Sequence, residues 1–284
     1  MPDFSDILLT VDYDRTLTGP DSIVPARNIE AIRYFMENGG TFTVNTGRSV
    51  PMARPFMDTV PVNAPLLLYN GSAAYDMQEQ KFTFAHPIAL KMGRVVELCE
   101  EKFPDMTVEV QGVEAHYCFR ENPGWAAYNV EQNCVFRFAD KTDDLSPFVK
   151  FTLYGEFRSS HMKDMYLGSP EEISRIDQVE QQLREMFGDY CEVFRAAPRV
   201  IDVQTKGVSK ARSARELQKR LGKKWLVCVG DAENDILMLE NADFAYVPSD
   251  AILAKRFPNV CKCGEGAVAD VIYEKIPEIL ANNP

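Results

Sequence analysis

Residues 7 to 18 read Ile-Leu-Leu-Thr-Val-Asp-Tyr-Asp-Arg-Thr-Leu-Thr, an apolar run that delivers two carboxylates, Asp12 and Asp14, and then Thr16. Acids this close repel each other, so they invite either a divalent cation or a split of protonation states. The signal recurs near the other end, where Trp225-Leu226-Val227-Cys228-Val229 runs into Gly230-Asp231-Ala232-Glu233-Asn234-Asp235. Four carboxylates (Asp12, Asp14, Asp231, Asp235) and the Asn234 amide offer oxygen donors. Such a set suits a hard cation that keeps several waters, magnesium rather than zinc.

Strand ends must deliver these groups. Ile7 to Val11 is short and apolar on consecutive positions, as strands covered on both faces of a parallel sheet are. In open α/β sheets, ligands bind beyond the carboxyl ends of such strands. The two acidic pairs meet only if the two strands are neighbours. Thr41 to Asn45 forms another strand leading to Thr46-Gly47-Arg48, and Leu66 to Tyr69 forms one ending at Asn70-Gly71. Gly207-Val208-Ser209-Lys210 opens a helix with Ser209 as N-cap and Ala211, Ala214, Leu217 and Leu221 on one side. A lysine in a first turn opposes the helix dipole, so Lys210 calls for a reason other than helix stability.

In this order the four segments resemble the haloacid dehalogenase (HAD) superfamily of phosphohydrolases. The first motif, Asp-x-Asp-x-Thr, stands as Asp12 to Thr16; the second, a strand-end Thr or Ser, as Thr46; the third as Lys210; the fourth, Gly-Asp-x-x-x-Asp, as Gly230-Asp231 through Asp235. Thr46-Gly47-Arg48, Asn70-Gly71, Gly207 to Lys210 and Asn234 to Leu239 look like the Cof-type subgroup. The resemblance implies that Asp12 is a nucleophile forming an aspartyl-phosphate and that Asp14 moves the proton, first as acid and then as base. It implies magnesium held by Asp12, the Asp14 carbonyl and Asp231, and phosphate held by Thr46, Lys210 and Asn234. Asp235, with Asn234, would orient the metal surroundings and the lysine, while Gly47, Arg48 and Asn70 would meet substrate. The subgroup usually has Gly where this chain has Arg15, whose guanidinium points either to solvent or to the site entrance; solvent is expected, because a cation inside the loop would compete with magnesium and Lys210.

The expected fold is α/β: a doubly wound, mostly parallel, Rossmann-like core sheet over 1–81 and 203–284, with an inserted α+β cap over 82–202. The core opens as strand, helix, strand and helix, and Asn38-Gly39-Gly40 stops the first helix. In the cap, alternation at Thr107–Val110, Ala115–Phe119, Phe151–Tyr154 and Cys191–Phe194 predicts half-exposed antiparallel strands. Two helices are expected there, Leu90 to Phe103 and Ser169 to Gly188, the second with Pro170 at its first position and Glu172 completing a capping box. Residues Arg120 to Gly124 read as an exposed loop. By resemblance the cap selects the leaving group and closes out water, with His116, Arg120, Trp125 and Tyr128 as candidates for its inner face.

At 284 residues with 45% hydrophobic content, the chain exceeds one typical domain. A net charge of −11 argues against nucleic acid and anionic membranes as partners; the resemblance implies a small phosphorylated metabolite, a sugar phosphate, as the substrate. No stretch reaches bilayer length, and Met-Pro-Asp-Phe-Ser-Asp lacks a leader's pattern. Seven cysteines without paired spacing fit a reducing cytoplasm. A monomer or homodimer is expected. The expected activity is phosphomonoester hydrolysis; its rivals are a phosphomutase of the same superfamily and a phospho-accepting switch without enzymatic activity.

Overall fold

The computed structural model of the chain describes residues 2–157 and 167–283. β1 (Ile7–Val11) is buried along its whole length. After α1 (Ala26–Glu37), which ends where Asn38 leads into Gly39 at φ +90°, β2 (Thr41–Val44) returns parallel to β1. α2 (Val50–Met57) then leads to β3 (Leu66–Leu68), β4 (Ala73–Asp76) and β5 (Lys81–Ala85). The Leu66–Tyr69 run, read as one more buried strand, is buried, but it heads a separate three-stranded sheet in the order β3-β4-β5. A single parallel bridge, Asn45 to Leu67, ties it to the end of β2.

The cap builds a six-stranded sheet from β6 (Thr107–Gln111), β7 (His116–Cys118), β8 (Phe136–Phe138), β9 (Lys150–Tyr154), β10 (Cys191–Ala197) and β11 (Val200–Thr205), in the order β10-β11-β9-β6-β7-β8. α3 (Met92–Lys102) and α5 (Pro170–Phe187) contribute apolar faces, Val95, Val96 and Cys99 from one and Ile176, Val179 and Leu183 from the other, to a core with Val108, Val110, Phe151, Leu153, Ile201 and Val203 of the sheet. The capping box of α5 forms as its sequence predicts, with Glu172 N–H on Ser169 Oγ at 3.3 Å and Ser169 N–H on Glu172 Oε2 at 2.8 Å.

Two expectations for the cap need correction. β6 and β9 are not half-exposed: every residue of both is buried, because the polar face carries side chains that pair among themselves, such as Lys150 Nζ with Asp202 Oδ2 at 2.5 Å, whereas β7 and the Cys191–Phe194 part of β10 alternate in burial as expected. Residues Arg120 to Gly124 are not all loop, since α4 (Pro123–Glu131) begins there, with Asn122 capping the Trp125 N–H at 3.0 Å. Asn-Pro at N-cap and first position was the available signal. The cap sheet runs on through Thr205, so the chain regroups with the core from Ser209, and the segment Arg48–Pro55 groups with the cap.

The core resumes with α6 (Lys210–Arg220), β12 (Trp225–Val229), α7 (Ile236–Glu240), β13 (Phe244–Pro248), β14 (Asn259–Val260), α8 (Cys263–Asp270) and α9 (Ile276–Asn282). Its five-stranded sheet is parallel throughout, in the order β14-β13-β12-β1-β2. The chain steps from β1 outward to β2 and later returns to β1's other side as β12, so strand order reverses at β1 and β12, where α/β sheets bind ligands. All seven cysteines are free, six of them buried. Among the described residues no helix is long and apolar enough to cross a membrane.

Candidate active site

β1 and β12 are neighbours in register, Val11 beside Val229, and both strands end there. The acids that follow each strand are therefore delivered to the same sheet edge. Asp12 is fixed by its own N–H on the Val229 carbonyl at 2.9 Å, and Asn45, at the end of β2, by its N–H on the Val11 carbonyl at 2.8 Å. Beyond β12, Gly230 meets the Asp235 side chain so closely that an added Cβ would lie 2.6 Å from it. The turn closes on itself because Asp235 Oδ2 accepts the N–H groups of Asp231 at 3.0 Å and Ala232 at 3.2 Å.

Lys210 stands at the centre. Its ammonium is fully buried and donates to Asp12 Oδ1 at 2.6 Å and to Asp235 Oδ1 at 2.7 Å. Ser209 caps α6 as expected, accepting the Arg212 N–H at 3.2 Å, and the Asn45 amide donates to the Lys210 carbonyl at 2.9 Å. The role of Asn45 was not foreseen; a polar residue ending an apolar strand was its only signal. Gly71, at φ +92°, lies so near α6 that a Cβ would sit 2.3 Å from the Ser209 carbonyl, so only glycine lets the Asn70-Gly71 loop approach the lysine's helix.

Carboxylate oxygens of Asp12, Asp231 and Asp235 lie within 4.8 Å of one another, and such a group can hold a metal ion. Three buried acids face one ammonium. Burial pushes the Asp12 carboxyl well up against the pull of Lys210, with repulsion from Asp235 and Asp14 adding to it. Burial and then repulsion from Asp235 lift Asp231 to about 6, against the Thr16 hydroxyl, which donates to Asp231 Oδ1 at 3.0 Å. Burial works against the Lys210 ammonium, but Asp12 and Asp235 more than offset it and raise its pKa. The cluster is short of positive charge, and a divalent cation is the group that would relieve it.

The other expected site residues sit around this centre in different ways. Asp14 is exposed, unlike buried Asp12. Thr46 is buried, its N–H on the Leu67 carbonyl at 2.9 Å and its carbonyl accepting the Asn70 N–H at 3.1 Å. Gly47 lies against Asn70, whose Oδ1 would be 2.8 Å from an added Cβ; that buried oxygen has no hydrogen-bond partner among the described residues. Arg48 is half-buried and opens the segment that groups with the cap; Asn234 is exposed on the turn before α7. Arg15 is exposed, with φ +58° in the left-handed region, which supplies a backbone reason for glycine at that place.

The four cap candidates have structural partners. Trp125 Nε1 donates to Glu109 Oε2 at 2.7 Å, Arg120 binds the carbonyls of Pro104 and Met106, and Tyr128 packs on the rings of Tyr154 and Phe157 at 5.5 Å. His116 is buried between Glu109 and Ser49.

Comparison with known proteins agrees with this geometry. Residues 9–252 match the family described as haloacid dehalogenase-like hydrolase. An HMP-PP phosphatase of Serratia proteamaculans is 24% identical, over 92% of this chain and 92% of its own length. A haloacid dehalogenase-like hydrolase from Bacteroides thetaiotaomicron superposes with a TM-score of 0.79 at 19% identity, covering 95% of this chain and 98% of that one. A HAD subclass IIB sugar phosphatase does so with a TM-score of 0.70 at 17% identity, covering 96% and 98%. Strand ends that bring Asp12, Asp231 and Asp235 around Lys210, together with a family match across most of the sequence, establish that the chain belongs to the haloacid dehalogenase-like hydrolases, Cof type.

Proposed function

We propose that this HAD-type phosphatase hydrolyses the phosphomonoester of a small phosphorylated metabolite, a sugar phosphate, through an aspartyl-phosphate on Asp12 and with magnesium as its cofactor. The observation that carries this is the buried Lys210 ammonium shared by Asp12 and Asp235, with Asp231 beside them. Lys210 holds the Asp12 carboxylate in one place, and with Thr46 it offers donors to phosphate oxygens. An Asp12 oxygen attacks phosphorus in line with the ester oxygen; the new O–P bond forms as the ester bond breaks. Asp14, whose side chain is exposed, gives that oxygen a proton and then takes one from the water that splits the aspartyl-phosphate.

Asp235 already accepts from Lys210 and two backbone N–H groups, so it orients the lysine and the Asp231 turn, leaving Asp12, Asp231 and the Asp14 carbonyl to hold the ion. Bound magnesium supplies the charge that lets an anionic nucleophile approach an anionic ester. Asn234 would contact phosphate, and Gly47, Arg48 and Asn70 the rest of the substrate. The sugar-phosphatase fold relative supports the substrate class, and the seven free cysteines support a cytoplasmic, reducing setting.

A screen of phosphorylated metabolites with magnesium, following both phosphate release and product identity, tests the proposal. Phosphate appearing in step with the dephosphorylated sugar is expected. An isomerised phosphosugar without free phosphate would make the protein a mutase, and a stable phosphoprotein without turnover would make it a switch.

A further inference from the structure

The loop that carries Asp14 is closed by its own backbone. Leu17 N–H donates to the Asp12 carbonyl at 3.2 Å, Thr18 N–H to the Tyr13 carbonyl at 3.0 Å, and Arg15 N–H to Thr18 Oγ1 at 3.1 Å. The chain on both sides of Asp14 is thus tied to Leu17 and Thr18, which are buried although Asp14 itself is exposed. Arg15 keeps its left-handed backbone, φ +58°, inside this closure.

Leu17 is in turn held from outside the loop. Asn28, in the first turn of α1, is fully buried; its Nδ2 donates to the Leu17 carbonyl at 2.9 Å and its Oδ1 accepts the Ala269 N–H of α8 at 2.9 Å. These two partners settle which way the amide points, because a carbonyl takes only a donor and an N–H only an acceptor. One side chain therefore joins the loop after β1 to a helix near the other end of the sequence. Asn28, Asp14 and all their partners here belong to the core unit.

A buried asparagine that satisfies two backbone groups stabilises any fold in which it occurs. Asn28 differs in what it holds. Leu17 stands three residues after Asp14, and its own N–H reaches back to Asp12. Between them Thr16 fixes the loop on the β12 side, through its hydroxyl on Asp231 Oδ1 at 3.0 Å. Asn28 fixes it on the α1 side, and Thr18 closes it around Asp14.

We propose that Asn28 and Thr18 are positioning residues for Asp14: together they set the loop so that its carboxyl meets the leaving oxygen. The inference rests on Asp14 being the proton donor of the proposed phosphatase. Asn28→Ala and Thr18→Val variants of the full chain, with magnesium present, test it. Each is compared with wild type on nitrophenyl phosphate, whose phenolate leaves without a proton, and on the best alkyl phosphate of the metabolite screen, whose alkoxide does not. The measure is kcat/KM, which stops at departure of the alcohol and leaves out the later hydrolysis of the aspartyl-phosphate.

Both variants are expected to lose about 30-fold in kcat/KM on the alkyl ester and no more than about threefold on the aryl ester. Amide exchange across residues 12–18, followed by mass spectrometry, should quicken by about tenfold in Asn28→Ala. Contacts that served stability alone would lower the melting temperature and affect the two esters equally. Folded variants with equal losses on both esters, or with none, would therefore overturn the positioning role. Thr18→Val is nearly isosteric and decides alone if Asn28→Ala fails to fold. Wild-type turnover of the aryl ester alone would leave no acid step to position and would also overturn it. Wild-type protein that releases phosphate from neither ester would overturn the phosphatase reading and this inference with it; wild-type turnover of both with equal losses in the variants would overturn this inference only.

Discussion

The molecule buries charge in two places, and the two differ in balance. In the core, Asp12, Asp231 and Asp235 crowd around the single ammonium of Lys210, and burial pushes Asp12 and Asp231 upward. In the cap, Glu109 faces His116 one to one, as Asp202 faces Lys150; burial again opposes the Glu109 charge, but His116 and the surrounding donors pull its carboxyl down to about 2. An excess of like charge held together by the fold is a demand for a further ligand. A neutral pair with donors on every side is scaffold. Burial is common to both, so burial alone does not mark a reactive site.

Asp12→Asn strikes the unbalanced cluster at the proposed nucleophile and carries the largest expected effect. Turnover should fall by at least about 10⁴-fold while circular dichroism and melting stay near wild type, since the amide is nearly isosteric. Residual turnover well above that in folded protein would remove Asp12 as nucleophile. Next comes the cation. Activity should vanish with a chelator and return with magnesium, and Asp231→Ala should raise the magnesium concentration needed by about 10- to 100-fold; equal activity in metal-free buffer would show that the cluster meets its deficit another way.

The balanced pair should respond in stability instead. Glu109→Gln leaves a buried imidazole without its counter-charge and should cost about 3–5 kcal/mol in denaturant unfolding, far more than an exposed pair such as Lys81–Glu79. The pH dependence has a definite sign. Glu109, lowered from 4.5 to about 2, stabilises above pH 4.5 and loses that contribution as pH falls toward 2. His116, raised from 6.5 to about 10, stabilises fully below pH 6.5 and loses it as pH rises toward 10. Wild-type stability from this pair should thus plateau between those values, and His116→Gln should flatten the alkaline decline; an unchanged alkaline limb would assign the decline to other groups.

The smallest effect belongs to Arg15. Its left-handed backbone costs about 1–2 kcal/mol for a residue with a Cβ, partly cancelled by the extra freedom glycine has when unfolded. Arg15→Gly should therefore change stability by no more than about 1 kcal/mol, toward stabilisation, and leave rates on an aryl phosphate and on the best natural substrate alike. A loss confined to the natural substrate would make the guanidinium a specificity group.

What could be read from the sequence tracks how local the cause is. Apolar runs ending in acids named β1 and β12, Ser169 and Glu172 named a helix start, and Lys210 in a first turn against the dipole pointed to a partner that proved to be two carboxylates. That the acids meet needed the β1–β12 pairing, which no local pattern encodes. In the cap the alternation of β6 and β9 was visible, but the side chains at Glu109, Thr152 and Lys150 look like a solvent face until their partners on other strands are known. Ser49 and His116 lie 67 positions apart, and nothing near either one announces the other.

The seven free cysteines carry a practical consequence for following the cap experimentally. Burial holds the Cys99 thiol at about 12 and Cys191 at about 11 and also raises Cys228, so at neutral pH these sulfurs are protonated and poor nucleophiles. Cys261, the one thiol that is not buried, is likewise pushed up to about 12, by burial of its sulfur and then by Asp270. A cysteine newly placed on an exposed cap residue would outpace these native thiols in reaction with maleimide. Spectroscopic labels can therefore be set on the otherwise natural chain, without first stripping it of sulfur.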